Sequence, residues 1–142
     1  MNSQGEHTVI ILLVASSAIR NYMLSLCRKN NYDFFVATGP EDLVRKIKKL
    51  DSTIAFVDFE AVTTYGAWIY SRINATGADC NVILLSDENH RSLIKEAMEF
   101  GVYACILAPY EKWEVLTMVR NILSKKKCRA EKKHTKARIK MV

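Results

Sequence analysis

Residues 8–14, Thr-Val-Ile-Ile-Leu-Leu-Val, form an unbroken apolar and β-branched run of strand length. A half-exposed strand alternates apolar and polar side chains. A run without alternation must be covered on both faces, which is the situation of an inner strand in a parallel sheet. Four more segments of strand length follow: residues 33–37 (DFFVA), 53–58 (TIAFVD), 81–86 (NVILLS) and 103–108 (YACILA). Helical spacing fills the gaps. Ile19, Met23, Leu24 and Leu26 recur on one side of residues 17–29, and Asn30-Asn31 supplies a stop. Pro40, after Gly39, opens a second helix to about Leu50, with Leu43, Ile47 and Leu50 inward. An irregular stretch follows Asp58, then a helix is expected over 66–75. Residues 90–100 place Leu93, Ile94, Ala97 and Met98 inward and end at Gly101; a last helix starts near Glu111, with Trp113, Leu116, Val119, Ile122 and Leu123 inward. Five strands alternating with five helices predict parallel pairing through right-handed crossovers, hence a doubly wound α/β sheet.

Length and charge divide the chain. Its 142 residues, 49% hydrophobic, fit one domain over residues 8–124, with 1–7 as an N-terminal extension and 125–142 as a tail. The net charge of +6 is concentrated in that tail, where Lys125, Lys126, Lys127, Arg129, Lys132, Lys133, Lys136, Arg138 and Lys140 face a single acid, Glu131. The body is slightly acidic, so the basic pI does not mark the whole domain as a nucleic-acid binder. The longest apolar run falls far short of the ~20 residues a membrane span requires. The N-terminus lacks the basic region of a secretory signal, so a cytoplasmic location is expected. Cys27, Cys80, Cys105 and Cys128 form no CxxC pair, and His7, His90 and His134 have no ligand spacing. Reduced thiols and no metal centre are expected. Cys128, among Lys and Arg, reads as the most reactive thiol.

In doubly wound sheets function sits at the carboxyl ends of the strands, so the residues to inspect are Val14-Ala15, Ala37, Asp58, Ser86-Asp87 and Ala108. Three of those ends carry a pattern. FVDFEAVTTYG (56–66) has an aspartate closing the third strand and a glycine eight residues on. LLSDE (84–88) has a hydroxyl at the fourth strand end, and ILAPY (106–110) a proline followed by an aromatic. Together these resemble the response-regulator receiver domain of two-component signalling, over roughly residues 8–125. The resemblance implies a flavodoxin-like (βα)5 fold, Asp58 as the phospho-acceptor position, and Ser86 as the hydroxyl beside the phosphoryl group. Tyr110 and Trp113 would then lie on or near a partner surface built from the fourth and fifth helices and the fifth strand.

The departures concern the chemistry. The family's Mg²⁺-holding acidic pair would fall on Val14 and Ala15, or in the next register on Ala15 and Ser16; its phosphoryl-binding lysine is Ala108 and its switch aromatic is Cys105. Phosphoryl transfer rests on positioning and on charge neutralisation by metal and cation. Glu60 is the nearest substitute carboxylate, but the resemblance implies that only a backbone carbonyl ligates there. The chain therefore reads as a degenerate receiver: not an enzyme, without cofactor and without Mg²⁺, acting as a protein-interaction module through the face just named. Two alternatives stand beside it. One is a phosphorylatable regulator with Asp58 as residual acceptor. The other is a nucleic-acid-associated regulator acting non-specifically through the tail, which equally suits an acidic protein. No second effector domain is expected after residue 125, so output passes to another signalling protein, to the tail or to a homodimer.

Overall fold

A computed structural model of the chain describes the backbone of residues 7–141 and the side chains of residues 7–126. Five strands, β1 (Val9–Leu13), β2 (Phe34–Val36), β3 (Thr53–Asp58), β4 (Cys80–Ser86) and β5 (Ala104–Leu107), form one sheet in the order β2-β1-β3-β4-β5. Every pairing is parallel, with Leu13 beside Val57, Asp58 beside Leu85 and Ser86 beside Leu107. The helices are α1 (Ser17–Lys29), α2 (Pro40–Lys49), α3 (Phe59–Tyr65), α4 (Trp68–Ala75), α5 (Arg91–Glu99) and α6 (Lys112–Met141), with a 3₁₀ turn at Glu88–His90.

The two-residue period of the strands sorts the core into two layers. Ile11, Leu13, Ala55, Val57 and Leu84 point to α2–α5, where they meet Leu43, Ile47, Ala61, Ile69, Tyr70 and Ala97. Ile10, Leu12, Ile54, Phe56, Ile83 and Leu85 point the other way, onto Met23 and Leu26 of α1 and Val115, Val119 and Ile122 of α6. All five β1 residues are buried, as the unbroken run requires. Each such aliphatic side chain contributes about 1.5–3 kcal/mol through burial, so the central strands fix the fold.

The structure corrects several expectations. Residues 59–65 are not irregular. The Asp58 side chain accepts from Ala61 N and caps a short helix, α3, which ends at Gly66 in a left-handed conformation (φ 99°); α4 then starts at Trp68. There are therefore six α-helices among the described residues, and the expected fourth and fifth helices are α5 and α6. Met98 and Trp113, expected inward, are 51% and 67% exposed. The inward stripe of α5 centres on Ala97 with Leu93 and Ile94, and that of α6 on Val115, Val119 and Ile122. Trp113, two residues before Val115, falls on the opposite side of its helix. Ile19, Leu24, Leu50 and Leu123 are only partly buried, whereas Cys27 and Val115 are core.

The backbone of α6 continues without interruption through Met141. The side chains of Lys127, Cys128, Arg129, Lys132 and Lys133 and the extension before His7 lie outside the described residues. No described helix is long and apolar enough to cross a membrane.

Candidate functional site at the strand ends

β1 hands on to β2 on one side of the sheet and β3 to β4 on the other, so the strand order reverses between β1 and β3. Asp58 stands at that point, wholly buried. Its Oδ1 accepts from Ala15 N at 2.9 Å and Ala61 N at 3.0 Å, and its Oδ2 from Ser16 N at 3.0 Å. One carboxylate therefore ties the β1–α1 loop to the first turn of α3. The small residues Ala15 and Ser16 permit the close approach. A carboxylate at Val14 or Ala15 would set a second negative charge beside Asp58. Ser16 also caps α1, its Oγ accepting from Ile19 N at 3.3 Å.

The loop is held from the other side by Arg20, whose Nε donates to Val14 O and Nη2 to Ala15 O, both at 3.1 Å. Ser86 closes β4 fully buried, its Oγ without a hydrogen-bond partner among the described residues. Ala108 is exposed; its N–H donates to Ser86 O at 2.8 Å, and the Ala108–Pro109 peptide is cis. Tyr110 is 7% exposed at a positive φ of 57°, and Tyr22 donates to its carbonyl oxygen at 2.7 Å. Burial first, then the carboxylates of Asp87, Asp58 and Glu60, push the Tyr110 phenol up to about 12. Asp87 Oδ1 accepts from Asn89 N at 3.0 Å and meets His90 Nδ1 at 2.5 Å. The His90 ring stacks on Phe59 with centroids 4.4 Å apart, joining the β4–α5 connection to the start of α3.

Asp58, Ala15, Tyr110 and the Glu60 charge thus converge on the carboxyl end of the sheet. Cys105 does not belong to this group. It is half-buried on β5, its Sγ 3.9 Å from Met98 Sδ, and burial raises its thiol pKa. Trp113 projects from the first turn of α6. Lys125 and Lys126 lie toward the amino end of the sheet. Lys125 Nζ is 5.4 Å from the Tyr103 ring centroid, and Lys126 Nζ bonds Ser52 and pairs with Asp79 at 3.2 Å. Sequence reasoning missed the Phe59–His90 stack, the Arg20 clamp and the part-buried polar tie at Lys126. Each joins residues through tertiary contacts or backbone carbonyls, which leave no periodic trace.

The site residues are a poor fit for Mg²⁺, which takes near-octahedral oxygen ligands. Val14 and Ala15 bring no carboxylate, and both oxygens of Asp58 already accept N–H groups. Among the described residues no three acidic, His or Cys groups are placed to hold a metal ion.

Comparison with known proteins agrees with the strand order and fold. The signal receiver domain of an HD domain-containing protein from Pseudomonas fluorescens superposes with a TM-score of 0.77 at 17% identity, covering 92% of this chain and 96% of that one. A response regulator from Thermotoga maritima gives 0.68 at 19%, covering 82% and 98%. The receiver domain of a Pseudomonas aeruginosa sensor histidine kinase, solved with magnesium in its active-site cleft, gives 0.68 at 13%, covering 82% and 97%. These likenesses show the flavodoxin-like fold of receiver domains. No curated protein matches the sequence. The family model for the response regulator receiver domain matches residues 10–120, from within β1 to within α6. With that match spanning well over half of the chain, the chain belongs to the response regulator receiver domain family.

Proposed function

We propose that this receiver domain works in two-component signalling as an atypical module whose output does not depend on phosphorylation of Asp58. The carrying observation is the triple backbone tie on the Asp58 carboxylate. An acceptor carboxylate must offer a free oxygen for in-line attack, and the transferring phosphoryl group needs cations around it. Here Oδ1 accepts two N–H groups and Oδ2 one, the side chain is wholly buried, and Val14, Ala15 and Ala108 bring no charge to the metal-pair and lysine positions. The reading therefore assigns no enzymatic activity and no Mg²⁺ requirement. Output passes to another signalling protein through the face of α5, β5 and α6. On α5, β5 and α6, Met98, Leu107 and Trp113 leave apolar surface open to such a partner, with exposures of 51%, 40% and 67%.

Incubation with a small phosphodonor and Mg²⁺, followed by intact-mass measurement, tests the reading. The expected spectrum contains no phosphoryl adduct. An adduct that disappears in Asp58→Asn overturns the proposal and leaves a phosphorylatable regulator.

The continuous helix of α6 supports a second activity. Its helical backbone runs through the basic segment to Met141, suited to electrostatic contact with nucleic acid or an acidic partner. Binding to generic DNA at low salt is expected to vanish when residues 125–142 are removed. Binding that survives truncation rejects the arm.

A further inference from the structure

Beside Asp58, at the ends of β1 and β2, the surface opens into a cleft of about 480 Å³, within the size range of small-molecule sites. Val14 and Ala15 from the end of β1, Val36 and Thr38 from the end of β2, Tyr65 from α3 and Arg20 from α1 shape it. Val36 remains 39% exposed although it is aliphatic, and Tyr65 is 37% exposed. Arg20 is the sole charged residue in the lining, which contains no carboxylate.

The guanidinium is fixed rather than loose. Its side-chain hydrogen bonds among the described residues go to Val14 O and Ala15 O, both neutral acceptors at 3.1 Å. These bonds use two of its five N–H groups, and among the described residues the positive charge has no acidic partner. Thr38 is anchored by its own N–H to Asp42 Oδ2 at 2.9 Å, which sets the rim. Tyr65 reaches across, its hydroxyl 3.9 Å from the point a Cβ on Gly39 would occupy. Asp58 stands behind the wall and does not line the cleft; its oxygens face the N–H groups of Ala15, Ser16 and Ala61.

A pre-oriented cation, aliphatic walls and hydroxyl-bearing residues at the rim select one ligand chemistry. We propose that this cleft binds a small organic carboxylate with an apolar body, its carboxylate paired to Arg20 and its body against Val36 and Tyr65. The ligand would bridge the β1–α1 loop, the end of β2 and α3. Asp58 already ties the first and last of these, so occupancy would rigidify the sheet edge without any covalent change. The proposal stands whether or not Asp58 is ever phosphorylated.

The test is an amide-shift titration of the whole chain by heteronuclear NMR with 4-phenylbutyrate and hexanoate. 4-Phenylbutyramide serves as the same body without charge, and inorganic phosphate as an anion without a body. The carboxylates are expected to shift Ala15, Thr38, Ala61 and the Arg20 Nε–H saturably. The amide and phosphate should bind at least about tenfold more weakly, the scale of one lost hydrogen bond to a charged group. Arg20→Gln should weaken the carboxylates by a similar factor. Val36→Trp, which fills the cleft and keeps the arginine, should abolish the shifts, and melting curves establish that each variant folds. Three results overturn the site: no saturable shift with either carboxylate, equal binding of the amide, or shifts unaffected by Val36→Trp.

Discussion

Asp58 is held by three backbone N–H groups from two segments far apart in the chain, Ala15 and Ser16 on one side and Ala61 on the other. An amide there presents N–H to N–H on one side, so Asp58→Asn should destabilise by about 1–3 kcal/mol, measured by urea unfolding. Tyr110 is the opposite case, because its buried hydroxyl has no partner among the described residues. Tyr110→Phe removes an uncompensated polar group and should raise stability by about 1 kcal/mol; a loss of that size would show that the hydroxyl is bonded. Asp42 carries a pH dependence. Lys46 Nζ at 2.7 Å, then Thr38 N and Arg45 Nη2, hold its carboxyl well below the usual carboxylate range. The folded value is depressed, so the stabilisation is present above the unfolded value near pH 4 and is lost as pH falls below it. Asp42→Asn should therefore flatten the acid limb of urea midpoints measured between about pH 4 and pH 2. Of these three residues, sequence patterning singled out Asp58 and Tyr110. Asp42 was not among them.

Helix boundaries turn on single residues. α3 exists because a strand-end aspartate doubles as its cap, and it stops because Gly66 adopts φ 99°. A Cβ at Gly66 would lie 3.0 Å from Trp68 Cδ1, whereas one at Gly77, φ 67°, would meet open space. Gly66→Ala should therefore cost about 1–2 kcal/mol, seen as a lower Tm, and Gly77→Ala less; equal costs would mean that the Trp68 contact contributes nothing. Strand positions were legible within a residue or two because apolar runs report burial directly. The division of residues 59–75 into two helices was not. A cap made by the last residue of a strand does not stand out from the strand pattern. The faces of α5 and α6 were legible at Ala97, Leu116, Val119 and Ile122 and misread at Met98 and Trp113. Apolar character states what a side chain tolerates; the neighbouring layer decides which angle of the helix is covered.

Across the whole molecule, two helical layers seal the sheet, and thiol chemistry reports that seal. Burial pushes the Cys27 and Cys80 thiols up to about 11, so both stay protonated at neutral pH. With iodoacetamide at about pH 8, peptide mapping should show buried Cys27 modified only at the rate of global unfolding, rising with denaturant, and half-buried Cys80 sooner; prompt labelling of Cys27 would mean local opening of α1. At the amino end of the sheet, Lys126 joins Ser52 and Asp79, so α6 is fastened at the start of its basic segment. The amino-acid sequence by itself determined the α/β alternation, the parallel sheet, the position of Asp58 and the separation of charge into body and tail, because runs, periods and charge counts are local properties. Tertiary structure alone decided what Asp58 does with its two oxygens, that His90 stacks on Phe59, and that Arg20 lines a cleft without an acidic partner. Those outcomes depend on distances between residues that only the closed sheet brings together.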